Sequence, residues 1–186
     1  MSEYQYYEFL RINGPLSQAA RKEMASLSSR ARISTHGASY VYNYGDFPGD
    51  PKSLLLKHFD VFFYISNWGA VQLMFKYLNQ QIDINEIKRH AIPHVIICEQ
   101  HDENILIDIC MNNEEGFGWT EGEGVLLNLL PLYEEVKDKN YQILNLAGAI
   151  NDEFSDSCQN VLSSVISKTS LPSAQRSFLD CVGIGG

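Results

Sequence analysis

His90, His94, Cys98 and His101 are four potential metal ligands in one short run. His90 and His94 are four apart, which on a continuous helix puts both imidazoles on one face, as in zinc-binding HExxH helices. Pro93 stands between them and strand chemistry follows, so that helical geometry is interrupted. His94 and Cys98 are expected to share a face of the following strand. Cys98 and Cys110 are not. With a turn at Asp102-Glu103, Cys98 falls opposite Ile107 and Cys110 opposite Val95, so the two sulfurs point to opposite sides. A structural zinc needs four converging ligands. This run does not supply them, and no metal or cofactor is expected.

Asp46, Asp50 and Asp60 are closely spaced carboxylates suited to acid–base work, although Asp in such loops more often caps helices and closes turns. No G-x-S-x-G elbow and no phosphate-cradling fingerprint occurs. Tyr40, Tyr42 and Tyr44 alternate, as stacking platforms do on RNA-reading sheets, and Arg11, Arg21, Lys22, Arg30 and Arg32 lie near them in sequence. Phenol rings at alternate positions are equally good half-buried sheet residues.

The net charge of −9 is unevenly placed. Residues 90–136 hold ten acids and no Lys or Arg. Glu99, Asp102, Glu103, Glu114, Glu115, Glu121 and Glu123 are therefore expected to form an acidic face. Such a face repels phosphate backbones, which argues against nucleic acid as the partner. It would steer a protein with a basic surface. No EF-hand spacing turns these acids into a calcium loop.

The elements that must position these residues are legible in outline. Tyr4 to Ile12 reads as a strand, and Pro15 is placed for the first turn of a helix carrying Leu16, Ala20, Met24 and Leu27. A second strand is expected over 32–44, then turn chemistry from Gly45 to Pro51. Asp50-Pro51 is a cap and first-position pair opening a short helix through Phe59. Val61–Ile65 reads as a buried central strand, with Asn67-Trp68-Gly69 turning it back into a partner over Val71–Leu78. Asp83 and Glu86 form a capping box for a helix that Pro93 ends. His94–Gln100 and Asn104–Cys110 form the clearest hairpin. A loop from Asn112 to Gly124 is pinned by Phe117 and Trp119. Helices follow at Pro131, Asn140, Asp156 (carrying Val161, Leu162, Val165 and Ile166) and Ser170/Pro172.

At about 150 residues per domain, 186 residues make one domain or one with an appendage. The fold class expected is α+β: a mostly antiparallel sheet with helices on one face, ferredoxin-like as a variant, followed by a helical C-terminal part. Residues 1–118 form the sheet domain and 119–186 the helical part packed on it, with a single domain as the alternative. No membrane is expected, because no run approaches the ~18 apolar residues of a span. The acidic, polar N-terminus is unlike a secretory signal. Four Cys without CxxC spacing suit a reducing, cytoplasmic compartment. The oligomeric state is left open.

Two motifs go beyond periodicity: Tyr42-x-Tyr44-Gly45-Asp46-Phe47-x-Gly49-Asp50-Pro51, and Phe59-Asp60-x-x-x-Tyr64-x-x-Asn67-Trp68-Gly69. They resemble the N-terminal region of a widespread bacterial family of uncharacterised proteins, in which a Y-x-[WY]-G-D-[FL]-x-G-D-P loop precedes an N-W-G turn. Tyr7-Glu8-Phe9, Leu27-Ser28-x-Arg30-Ala31, Gly118-Trp119 and Leu171-x-Ser173-Ala174-Gln175-Arg176 extend the likeness along the chain. The resemblance implies a cytoplasmic bacterial protein and carries over no catalytic residue. Where members follow N-W-G with Thr and two Arg, this chain has Ala70-Val71-Gln72, which weakens any anion-binding role at the turn.

The reading is a non-enzymatic protein-interaction module with an acidic docking face. A small site is expected where Asp46, Asp50, Asn67 and Trp68 meet. One alternative is RNA or single-strand binding on the Tyr40/Tyr42/Tyr44 face. The other is a small hydrolase or metal-dependent enzyme at Asp46, Asp50 and Asn67.

Overall fold

The structure, a computed structural model, describes residues 3–118, 121–154 and 171–184. The first six elements are β1 (Gln5–Leu10), α1 (Gln18–Leu27), β2 (Arg32–Ile33), β3 (Gly37–Tyr42), α2 (Pro51–His58) and β4 (Val61–Ser66). Their strands lie in the order β4-β1-β3-β2, each antiparallel to its neighbours. That is the ferredoxin-like split βαβ arrangement. β5 (Ala70–Leu78), β6 (Ile96–His101) and β7 (Asn104–Asn112) extend it to a seven-stranded antiparallel sheet, β2-β3-β1-β4-β5-β7-β6. A short helix α3 (Ile84–Ile87) and a 3₁₀ turn (Lys88–His90) precede β6. The C-terminal part contributes α4 (Val125–Leu129), α5 (Pro131–Lys137), α6 (Gln142–Phe154) and α7 (Ser173–Cys181).

Period-two alternation gives the sheet two apolar faces. Tyr7, Phe9, Tyr40, Phe62, Met74 and Leu106 face α1 and α2. Tyr6, Phe63, Ile65, Phe75 and Ile107 face α3 and the C-terminal helices, which bury Leu129, Val136, Leu146 and Phe178 against them. β4 lies in the middle of the sheet, and Phe62 and Phe63 are wholly buried on opposite faces. Each such ring contributes roughly 1.5–3 kcal/mol through burial. The expected one-sided layering holds for α1 and α2, while α3 and the C-terminal helical part cover the other side and share one apolar core with the strands. The carboxylate of Glu23 ties α1 to α2, receiving Lys57 Nζ and His58 Nε2 at 2.8 Å.

Several local expectations are corrected. Ser17, not Pro15, opens α1, its hydroxyl accepting the Ala20 N–H at 3.1 Å. The strand expected over 32–44 is a hairpin. Ser34 Oγ accepts the Gly37 N–H at 2.8 Å, and Ser34 N–H bonds the Gly37 carbonyl at 2.9 Å, closing a turn that strand propensity does not reveal. Asp83 caps only four α-helical residues before the 3₁₀ turn. Asp50 and Pro51 open α2 as expected, and the β6–β7 register sets Cys98 opposite Ile107. The helix expected from Asp156, together with Trp119 and Ser170, lies outside the described residues.

Candidate functional site

β1 begins, β3, β4 and β7 end, and β5 begins at one end of the sheet. Three connections meet there: the Gly45–Pro51 loop, the Asn67–Gly69 turn and the loop after β7. Sequence had joined the first two into a cluster of Asp46, Asp50, Asn67 and Trp68. The structure places them at the same end, on either side of β1, and gives the Asp50 and Asn67 side chains separate local duties. Asp50 accepts the Ser53 N–H at 3.1 Å and the Ser53 hydroxyl, capping α2. Asn67 Oδ1 accepts the Tyr4 N–H at 2.9 Å, and Asn67 N–H bonds the Tyr4 carbonyl at 3.1 Å.

The turn also rests on the loop after β7. Asn113 N–H bonds the Gly69 carbonyl at 2.9 Å, and Asn113 fixes its own loop by accepting the Glu115 N–H at 3.1 Å and donating to the Gly116 carbonyl at 3.2 Å. Tyr4 bonds onward to the next segment, its hydroxyl accepting the Gly122 N–H at 3.0 Å. Burial raises the Tyr4 phenol above its ordinary value; the Gly122 N–H opposes that, and the charges of Glu121 and Glu123 add to it. The Gly45 loop is held from β1 by Gln5, which is buried and donates from Nε2 to the Gly45 carbonyl at 3.0 Å. Tyr7 and Tyr64 hydroxyls both donate to Gln5 Oε1. Gln5, Tyr4 and Asn113 therefore organise this end. Sequence reasoning missed all three, because a polar residue at a strand end carries no periodic signal.

Two large apolar side chains stand out at these connections. Tyr44 is 72% exposed and Trp68 44% exposed. Asp46, Glu114, Glu115, Glu121 and Glu123 are exposed in the same three connections. Residues 113–123 contain no Lys or Arg; among the described residues, Glu123 alone of these acids meets one, Arg32 at 3.1 Å.

The acidic face expected from sequence is thereby corrected. Glu99 lies between Lys52 Nζ at 3.0 Å and His101 Nε2 at 2.8 Å, contacts that hold its carboxyl below the usual range, the His101 hydrogen bond first. Asp102 and Glu103 form the β6–β7 turn at the opposite end of β7, a nine-residue strand that spans roughly 30 Å. Asp108 is buried, held by Gln72 Nε2 at 2.9 and 3.1 Å. What remains at the Trp68 turn is Glu114 and Glu115, exposed on the loop whose Asn113 bonds Gly69.

The tyrosine platform is also corrected. Tyr40 is wholly buried under α1, its hydroxyl donating to the Met24 carbonyl at 2.7 Å. Tyr42 is buried with the Arg30 guanidinium 5.1 Å from its ring centre. Tyr44 lies past the end of β3. A base has no ring face to stack on at the first two positions, because strand parity aims both inward.

The histidine–cysteine run does not converge. His94 is not on the strand with Cys98: it sits in the preceding turn at φ 65°. His90 Nδ1 meets Asn145 Oδ1 at 3.0 Å, and His101 meets Glu99. Burial pushes the Cys98 thiol up to about 11 and the Cys110 thiol up to about 12, the Asp108 charge adding to the second. Neither is an activated nucleophile. Among the described residues no group of three or more His, Cys, Asp or Glu is placed to hold a metal ion, and no helix is long and apolar enough to cross a membrane. No protein-family model matches this chain, and no curated protein or solved structure matches it either.

Proposed function

We propose that this chain is a non-enzymatic interaction module that docks a basic segment of another protein at the Trp68 end of its sheet. The observation that carries the reading is Trp68: an exposed indole on a turn locked by the Asn113–Gly69 hydrogen bond, beside Glu114 and Glu115. Trp and Tyr are favoured interface anchors, offering large contact area at small cost in side-chain entropy. The indole face also attracts Lys or Arg, and adjacent carboxylates reinforce that choice of partner. The rigid hydrogen bonding behind the turn means that little ordering remains to be done on binding.

The test is affinity capture with immobilised full-length chain at about 50 and about 300 mM salt, where screening of exposed charges differs strongly. Wild type, Trp68→Ala and the double variant Glu114→Lys/Glu115→Lys are compared. A partner held by wild type at low salt, released at high salt and lost by both variants supports the reading. A partner retained equally by all three proteins, or unaffected by salt, overturns it.

A further inference from the structure

The two edges of the sheet are built differently. β2 is two residues long and carries Arg32, a short charged edge that discourages pairing. β6 is six residues long, Ile96–His101, without Pro, Lys or Arg. In an antiparallel ladder, residues that bond the neighbouring strand alternate with residues whose N–H and C=O face away. Cys110 N–H bonds the Val95 carbonyl at 2.8 Å, so Ile97, Glu99 and His101 also face β7, and Ile96, Cys98 and Gln100 face outward. Ile92 occupies the outward groups of Ile96, with bonds of 2.8 and 3.0 Å. Among the described residues, nothing takes the outward N–H and C=O of Cys98 and Gln100. A cleft of about 480 Å³, lined by Asn79, Gln81, Ile82, Gln100, Ile105 and Lys139, opens beside that edge.

We infer that β6 is a dimerisation edge, and that its occupant is β6 of a second copy of this chain. Two residues with two free groups each are self-complementary under a two-fold axis through Glu99. Cys98 then pairs with Gln100 of the second copy, and Gln100 with its Cys98, making four main-chain hydrogen bonds and leaving no outward group over. The two Glu99 carboxylates meet at the axis, but each arrives with its own Lys52 at 3.0 Å. His101 of each copy stands diagonal to Glu99 of the other, within reach of its carboxylate. The result is a continuous antiparallel sheet through both copies.

The experiment is sedimentation equilibrium of the full chain over a concentration series, with hydrogen exchange of the 96–101 segment followed across the same series. A dimer is expected, with the Cys98 and Gln100 amides exchanging at least about tenfold more slowly at the concentrated end. Gln100→Pro removes an outward N–H and no intramolecular hydrogen bond, a position where edge strands tolerate Pro. It is expected to be monomeric, with the unfolding midpoint that wild type shows at the dilute, monomeric end of the series. A monomeric wild type, or a Gln100→Pro protein that still dimerises, overturns the inference. If Gln100→Pro fails to fold, wild-type exchange at 98 and 100 that does not change with concentration overturns it equally.

Discussion

Gly69 and Asn113 are in closer contact than a side chain permits: a Cβ at Gly69 would lie 2.1 Å from the Asn113 carbonyl oxygen. Gly69 also sits at φ +88°, in the left-handed region. The Trp68 turn therefore rests on the loop after β7 through a glycine that no other residue replaces. Gly69→Ala must move the backbone of one loop or the other. The expected cost is about 2–4 kcal/mol, the sum of an unfavourable φ and a steric shift. Urea denaturation checks it: the midpoint falls and the slope is unchanged. A midpoint within error of wild type would mean the two loops are not in contact.

Asp60, one of the carboxylates whose spacing suggested acid–base chemistry, is a structural acceptor at the other end of the sheet. Its Oδ2 accepts the Ile12 N–H at 2.8 Å and the Asn13 N–H at 3.4 Å, and Oδ1 faces Lys76 Nζ at 3.6 Å. Burial depresses Lys76, and Asp60 opposes that depression. Asp60→Ala leaves a largely buried ammonium unpaired and is expected to destabilise by about 3 kcal/mol. Lys76→Met combined with Asp60→Asn should recover most of that loss. Thermal unfolding of the three proteins decides; equal stability of Asp60→Ala and wild type would contradict the role.

Glu8 and Tyr6 share a hydrogen bond, phenol to carboxylate, at 3.0 Å. Burial raises the Glu8 carboxyl, and the Tyr6 bond only partly offsets it. A carboxyl whose folded value exceeds its unfolded value destabilises the fold once ionised, so the cost is absent below the unfolded value and present at neutral pH. Glu8→Gln is therefore expected to raise the melting temperature at pH 7 and to have no effect near pH 3. A gain that persists unchanged at acid pH would point to packing instead.

Tyr77 and Tyr133 stack at 4.4 Å and bond across each other's strand and helix, Tyr77 hydroxyl to the Tyr133 carbonyl at 2.9 Å and Tyr133 hydroxyl to the Lys76 carbonyl at 3.1 Å. Burial raises both phenols above their ordinary value, as it does those of Tyr6, Tyr7, Tyr40 and Tyr64. Raised phenols bind protons more tightly folded than unfolded. Stability is complete below pH about 10 and is lost as pH rises beyond it. Absorbance at alkaline pH should show most of the ten tyrosines ionising together with the loss of far-ultraviolet dichroism. Independent ionisation of all ten near pH 10, with the fold intact, would refute it.

The residue pattern alone determined most of the strands, the Asp50-Pro51 start of α2, the β6–β7 register and the opposite facing of Cys98 and Cys110. These follow from interactions between near neighbours and from strict period-two alternation, which a chain displays before it folds. The Trp68 turn was legible as a turn for the same reason.

Tertiary structure decided where the charges go and which rings are reachable. Ten acids in one quarter of the chain read as one face, yet β7 carries Glu103 and Glu114 to opposite ends of the sheet, and Lys52 and Arg32 arrive from distant segments to pair Glu99 and Glu123. Tyr40 and Tyr42 alternate as an exposed platform would, but α1 lands on their side of β3. Linear density of charge or aromatic rings says nothing about direction. That depends on which face each strand buries and on where the chain returns, and only long-range packing sets both.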